Sequence, residues 1–558
     1  MKVLARPILS ATTSFILCAG VLRAQNTVGL LQYDQNTSYE GYTLYYPTQQ
    51  SSAYLLNNCG QVVHAWPDSL LNASNSMRLM NDGGIQRCAM APNVQSLIFA
   101  GGAGQYVQRK DWNNNITWLY EYNNASVRMH HDACLLPNGN TLIVAWESKT
   151  ILEAWQAGRD TTGFGFQALW PDHLIEVEPT GATTGNIVWE WHAWDHLVQD
   201  FNPLADNYGV VEASAELIDI NYDEALNPDW MHVNYVEYNP VLDQIVISVP
   251  HFNELWVIDH STTTAEAASH AGGNSGRGGD LLYRWGNPQA YRQGTIADKR
   301  LFFNHGTAWA KADALPGDPD FGRIIVFNNR LGNASSAVDI VNTPVDANGD
   351  YTYQQGTPFG PPSHSWRYEA PVPTDFFSGG LGNAQMQPNG NVLVCSGRQG
   401  WLFEVDPLGN MVWQYESPVV NGNPVAQYTM PPGTGNQVFH VNRYPADHPG
   451  LVGQVLNPIG YVELNPDTLF CSMPMTVEPV ELPAQVQLLT NVVSDQVVVI
   501  GAGKGTPYAV LDRSGRAVLS GTIVSGQQEI AVRALTPGLY VLKVADVEQR
   551  GQKFVVVR

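Results

Sequence analysis

The stretch Gln387-Pro388-Asn389-Gly390-Asn391-Val392-Leu393-Val394 is followed by Trp401-Leu402-Phe403-Glu404-Val405-Asp406 and then by Gly409-Asn410-Met411-Val412-Trp413-Gln414-Tyr415. Each piece is a short apolar and aromatic run bounded by an Asn-Gly or Gly-Asn pair, which reads as a strand between tight turns. The same order returns at Leu136-Pro137-Asn138-Gly139-Asn140-Thr141-Leu142-Ile143, continues through Leu174-Ile175-Glu176-Val177-Glu178-Pro179 and closes at Ile187-Val188-Trp189-Glu190-Trp191. Looser copies run from Tyr54 to Trp66, Ser96 to Tyr120, Gln244 to Trp285 and Arg323 to about Tyr353, making six units. A unit of three or four antiparallel strands cannot bury both of its faces alone, whereas radial repetition with closure buries them and protects the edges. The expected architecture is therefore all-β: a six-bladed β-propeller over residues 25–479, with long insertions at about 195–230 and 260–300.

Composition agrees with many short strands and tight turns. Of 558 residues, 44% are hydrophobic and only 14% charged, with 51 Gly, 35 Pro and 16 Trp. The formal charge of −22, from 51 acidic against 29 basic residues, repels polyanions over most of the surface and speaks against a nucleic-acid partner. A small anion is compatible only where cations are concentrated locally.

Lys2 and Arg6 precede an apolar stretch from Ile8 to Leu22, and Ala24 precedes Gln25, so residues 1–24 read as a secretory signal peptide. No segment supplies the roughly 20 unbroken apolar residues of a membrane span. Of six cysteines, Cys18 lies in the signal segment, Cys134 and Cys395 sit in strand-like apolar runs as buried thiols, and Cys59 and Cys88 are a candidate pair in an oxidising compartment. No Cys/His spacing has the form of a zinc site. His192 and His196, four apart, would share a helix face, and the glycine-rich run Gly272 to Gly279 lacks the strand-and-helix setting of a phosphate loop.

From about Val480 the pattern changes to short strands at roughly ten-residue spacing, from Val486 to Val557, which predicts a separate small β-sandwich over 480–558. Three of its motifs, Val510-Leu511-Asp512-Arg513-Ser514-Gly515-Arg516, Pro537-Gly538-Leu539-Tyr540-Val541-Leu542-Lys543-Val544 and the ending Gln552-Lys553-Phe554-Val555-Val556-Val557-Arg558, resemble the sorting domain of the type IX secretion system of Bacteroidetes. That resemblance implies export through the periplasm to the cell surface or medium, with the outer-membrane secretion machinery as a partner. An ordinary carbohydrate-binding sandwich is the plainer reading of the same strands.

Three histidines recur in related places. His131 lies seven residues before Asn138 and His232 seven before Asn239, one register on successive units, and His305 precedes the next unit's strand. First strands of propeller blades line a central channel, so these side chains are expected to converge on one pocket. Polar neighbours support them: His130 and Asp132 flank His131, Asn234 follows His232, and Arg330 follows Asn328-Asn329 beyond His305.

Several segments also resemble the bacterial arylsulfate sulfotransferases. They are Asp229-Trp230-Met231-His232-Val233-Asn234, Trp189-Glu190-Trp191-His192-Ala193-Trp194-Asp195-His196, Gly279-Asp280-Leu281-Leu282-Tyr283-Arg284-Trp285-Gly286-Asn287-Pro288 and the closing Val438-Phe439-His440-Val441-Asn442-Arg443-Tyr444. The resemblance spans about residues 35–460. It implies a six-bladed propeller that moves a sulfuryl group from an aryl sulfate to a phenol through a sulfated histidine, without nucleotide cofactor or metal. It also implies His232 and His305 as channel histidines and Arg330 as the anion-binding arginine; with His131, which shares the register, the three histidines are the catalytic candidates, and Asn234 and Arg330 the substrate-binding ones. The family's sulfated histidine belongs to a late blade, and the corresponding stretch, Ser378-Gly379-Gly380-Leu381-Gly382-Asn383-Ala384-Gln385, contains none. The competing expectation is a noncatalytic secreted propeller that binds polysaccharide or a surface partner through the same channel.

Overall fold

The computed structural model describes residues 26–472 except 49, 95, 223–225, 333 and 430–434, and residues 487–557 except 489–491, 501–503, 514–515, 526 and 545–551. The signal segment 1–24 and the expected domain boundary at 479 lie outside the described residues. The chain divides into two compact units, Met1–Met473 and Pro474–Arg558.

Among the described residues of the larger unit, the principal strands form six antiparallel sheets of four or five strands. In chain order their innermost strands are Asn442–Tyr444 with Tyr42–Tyr45 next to it, then Asn72–Leu79, Val127–Leu135, Tyr235–Asn239, His305–Trp309 and Asn383–Met386. Each Asn-Gly or Gly-Asn turn read from the sequence joins strands of one sheet: Asn138-Gly139 lies between Val127–Leu135 and Thr141–Glu147, and Gly390 between Asn383–Met386 and Val392–Ser396. Gly139 and Gly390 sit at φ +90° and +87°, where a side chain is disfavoured, which is why these turns carry glycine.

The first sheet draws on both ends of its unit. Asn442–Tyr444 pairs with Tyr42–Tyr45 on its inner side, and Gly460–Tyr461 pairs with Gln61–Trp66 on its outer side. Gly29–Tyr33 in turn adds an outer strand to the sixth sheet by pairing with Met411–Glu416. A disulfide joins Cys59 to Cys471 across 412 residues of sequence, in place of the Cys59–Cys88 pair that the sequence suggested. The correction has a simple cause: Cys88 lies within the strand Ile85–Met90 as a buried thiol, its Sγ 3.3 Å from Ser76 Oγ.

Side chains tie each sheet to the next. Asp132 of the third sheet accepts from Arg78 Nη2 of the second at 2.8 Å and from Val236 N of the fourth at 3.0 Å. Trp309 N donates to Glu237 Oε2 at 2.9 Å, and Asn329 Nδ2 donates to Leu381 O at 2.8 Å. Asn383 exchanges two hydrogen bonds with the backbone of Val441, and His440 Nε2 meets Met77. Between the sheets, Trp66, Trp146, Trp191, Trp230, Trp256 and Trp413 are fully buried. At about 25 cal/mol per Å² and roughly 150–250 Å² each, every one contributes about 4–6 kcal/mol of gross burial, an upper bound before chain entropy is set against it.

The smaller unit has a three-stranded sheet, Gln487–Leu488, Gln496–Ile500 and Gln527–Ala531, and a five-stranded sheet built on Gly538–Val544 and Gln552–Val556. Alternate residues such as Val497, Val499, Ile530, Leu542 and Phe554 form its core, the period-two pattern of strands with one buried face. Among the described residues, no helix is long and apolar enough to cross a membrane.

Candidate functional site

His131 and His232 share an unusual backbone conformation, at φ +53° and +60°. In the left-handed region a non-glycine residue costs about 1–2 kcal/mol, a strain that persists only where surrounding contacts enforce it. His131 kinks the third sheet's inner strand, where the pairing register shifts between Ile143 and Ala145. The kinks bring side chains of neighbouring sheets together: the His131 and His232 rings lie 4.5 Å apart, and Phe439 from the closing segment lies 6.0 Å from His131. Gly101 and Gly102 cover them, and Gly102 presses so closely on the His131 ring that a Cβ there would overlap it.

His232 has a direct acidic partner, and His131 reaches one only through His130. His232 Nδ1 donates to Asp229 Oδ2 at 2.5 Å, and the other oxygen of Asp229 accepts from Trp146 Nε1 at 2.8 Å. Behind His131 stands His130, with the two Nδ1 atoms 2.8 Å apart, and His130 Nε2 lies 2.7 Å from Asp172 Oδ1. His130 stacks on the Trp146 ring at 3.8 Å, and His251 stacks on His232 at 4.8 Å while its Nδ1 donates to Asp229 O.

Electrostatics separate these groups into two classes. Burial, then the charge of His232 and the other nearby imidazoles, holds His131 well below the ordinary histidine range, so it is a neutral ring at neutral pH. Burial would lower His232 as well, but Asp229 overrides it and raises its pKa. Burial likewise opposes ionisation of Asp229, and the His232 charge and hydrogen bond bring it below the usual carboxylate value. Asp172, buried and facing the Asp229 charge, is pushed well up, and His130 well down, mainly by burial, so this second pair is neutral. Two groups of one residue type with pKa values driven apart are the arrangement that acid–base catalysis uses.

His305 opens its inner strand, and its Nδ1 donates to Asn329 Oδ1 at 2.8 Å. Burial and the charge of His232 push it down to about 3. Arg330 sits at the rim with its guanidinium carbon 3.7 Å over the Phe303 ring and Nε donating to Gly379 O at 2.9 Å. Burial lowers its pKa and the nearby Arg398 charge lowers it further, so two cations share this rim. A cavity of about 420 Å³ opens here between His251, Phe302, Phe303, Asn253, Pro250, Asn227 and Arg330, within the size range of small-molecule sites.

The sequence-predicted residues are thus placed as follows. His131 and His232 meet directly, His305 and Arg330 each pack against Phe303, and Asn234 is committed to the scaffold, its Nδ2 donating to Asn304 O at 2.9 Å. Asp132 does not support His131, since its carboxylate turns to Arg78 and Val236. Asp229, Asp172, His251, Phe303 and Arg398 went unassigned by sequence reasoning. Asp229 had a signal, its position three residues before His232, while Asp172 comes from another strand and had none. In the stretch 378–385, Leu381 stands at φ +63° and two residues before Asn383, as His232 stands two before Asn234. His192 and His196 share no helix face: a single turn at Ala193–Asp195 separates them, His192 meeting Glu147 and Glu190 and His196 meeting Asp280.

The match to the arylsulfotransferase (ASST) family model covers residues 32–411, and the chain belongs to that family, which places it among the transferases. No curated protein matches. Similar solved structures include a protein of unknown function from Bacteroides caccae, 11% identical, covering 73% of this chain and 99% of that one at a TM-score of 0.37. The periplasmic gluconolactonase of Pseudomonas aeruginosa is 12% identical, with 68% and 96% covered at 0.33. PorZ, a surface component of the type-IX secretion system of Porphyromonas gingivalis, is 10% identical, with 92% and 50% covered at 0.28.

Proposed function

We propose that the chain is an exported aryl sulfotransferase whose six sheets are the blades of a six-bladed β-propeller, and that it moves a sulfuryl group from an aryl sulfate ester to a phenol at the His131–His232 pair. The observation that carries this reading is a neutral imidazole 4.5 Å from a second imidazole that Asp229 holds toward its charged form. In the first step an imidazole nitrogen of His131 attacks sulfur, the S–O bond to the aryl group breaks, and the His232 imidazolium gives its proton to the departing phenolate. In the second, His232 takes the proton of the acceptor phenol, the phenol oxygen attacks sulfur, and the N–S bond to His131 breaks. Arg330 and Arg398 attract the sulfate, and His305 completes the wall of the pocket. The arrangement calls on no cofactor.

Leu381 favours a second reading, in which the propeller binds polysaccharide or a surface partner without turnover. For localisation, the proposal is that residues 1–24 direct secretion and that residues 480–558 act as a sorting domain read by the type IX machinery; the motif order in that tail supports it. The test is release of phenol from a chromogenic aryl sulfate with and without a phenolic acceptor. Acceptor-dependent release abolished by His131→Ala or His232→Ala supports the transferase, whereas a folded wild type that releases none with any acceptor supports the binding module.

A further inference from the structure

The insertions of the third and fourth sheets meet at a cluster that the mechanism leaves unused. His196 Nδ1 lies 2.8 Å from Asp280 Oδ1, and His270 Nδ1 lies 2.7 Å from the same oxygen. The three ligand-type atoms all fall within 4.8 Å of one another. His196 is fully buried and Asp280 nearly so, while His270 is 60% exposed.

The Nε2 side of His196 is committed from behind. Its Nε2 lies 2.8 Å from Ala267 O, and a carbonyl only accepts, so Nε2 carries the hydrogen. In the neutral ring Nδ1 is then a bare lone pair aimed at a carboxylate oxygen. A second imidazole nitrogen is brought to that same oxygen. With both Nδ1 atoms unprotonated, a cation placed among them and the carboxylate oxygen would make three bonds.

The glycine-rich run from Gly272 to Gly279 explains itself here. A Cβ on Gly279 would collide with Ala267 O and with His196 Nε2, and one on Gly278, at φ +60°, with Ser269 O. These glycines let the loop wrap directly against the back of His196, and Trp191 fastens it by donating from Nε1 to Gly279 O at 2.7 Å. The Trp191 ring stacks on His196 in parallel, closing one side of the cluster.

We infer that His196, His270 and Asp280 form a three-ligand zinc site that clips the two insertions together. Two imidazoles and one carboxylate suit Zn²⁺, whose bonds of about 2.0–2.2 Å put tetrahedral ligands roughly 3.3 Å apart, a small opening from the present nitrogen–oxygen separations of 2.8 and 2.7 Å. Exposure on the His270 side leaves room for water in the fourth position.

The test uses untagged full-length protein stripped with a chelator and titrated with Zn²⁺ by calorimetry and with Co²⁺ by visible absorption. The expected result is one saturable equivalent, the d–d bands of four-coordinate Co²⁺ with nitrogen and oxygen ligands, and a higher melting temperature in Zn²⁺. His270→Ala, at an exposed position, keeps the fold and lowers affinity about tenfold to hundredfold or more. Asp280→Asn removes the site if it folds. Absence of a saturable equivalent in wild type, or binding unchanged by His270→Ala, overturns the inference. Turnover of aryl sulfate is a separate readout, so failure here leaves the transferase reading standing.

Discussion

Replacing Gly102 by alanine tests the role of His131 without touching any titratable group. An added Cβ would sit 2.0 Å from Cε1 and Nε2 of His131, and ordinary contact begins at 3.4 Å, so the ring must retreat by about 1.4 Å. It cannot do so freely, because His130, Trp146 and His232 hold it on the other sides. A misplacement of about 1 Å in a reacting group costs on the order of a hundredfold in rate. Gly102 also sits at φ +79°, where alanine adds about 1–2 kcal/mol of strain, a fall of a few degrees in melting temperature. The expectation for Gly102→Ala is therefore a folded protein, a kcat for phenol release lowered about a hundredfold or more, and a KM nearly unchanged, because the cavity beside Arg330 is lined by other residues. Gly101→Ala is the internal control: its Cβ would stand 3.7 Å from His232 Cε1, an ordinary contact, so that variant keeps its rate. Wild-type kcat in a folded Gly102→Ala variant would refute the assignment of His131 to the reaction.

Further outcomes follow from the same geometry. Asp229→Asn removes the negative charge and leaves one acceptor oxygen for the two donors His232 Nδ1–H and Trp146 Nε1–H, and kcat is expected to fall about a hundred- to ten-thousandfold in steady-state assays. The alkaline limb of kcat against pH should reflect the raised pKa of His232, falling at a pH above the ordinary histidine value of about 6.5, and it should move in Asp229→Asn. Folding stability carries the opposite signature from His131 and His305: their folded pKa values are depressed, so the unfolded chain takes up protons first and stability drops as pH falls below about 6.5, measurable by denaturant melts and weakened in His305→Gln. Cys59→Ser should destabilise by about 3–5 kcal/mol, read from the same melts, because the Cys59–Cys471 bridge closes a very long loop.

The repeat was legible because its punctuation is local. Asn138-Gly139 and Asn389-Gly390 need a positive φ at glycine, and that need shows in the residues themselves. The histidine register was legible for His131 and His232 because each lies seven residues before an asparagine that opens the turn after its strand. Their acidic partners were not equally visible: Asp229 lies in the same motif as His232, but Asp172 reaches His130 from a strand about forty residues on, and Asp132, adjacent in sequence, points elsewhere. Local spacing cannot tell on which side of a kinked strand a neighbour emerges. The Cys59–Cys471 bridge was hidden for the same reason, since only sheet pairing brings residues so far apart in sequence together. His192 and His196 misled through a helical spacing that a single short turn does not honour.

The first sheet has a temporal consequence. Its inner strand, Asn442–Tyr444, is synthesised about four hundred residues after the Tyr42–Tyr45 strand it covers. Until it arrives, that strand offers a bare edge, and the Cys59 thiol waits for a partner made later still. The larger unit therefore cannot mature piecemeal from its amino terminus as the chain emerges. A growing chain held in this state would be open to edge-to-edge association, and a truncation before Asn442 should leave a product that aggregates instead of a shorter working molecule.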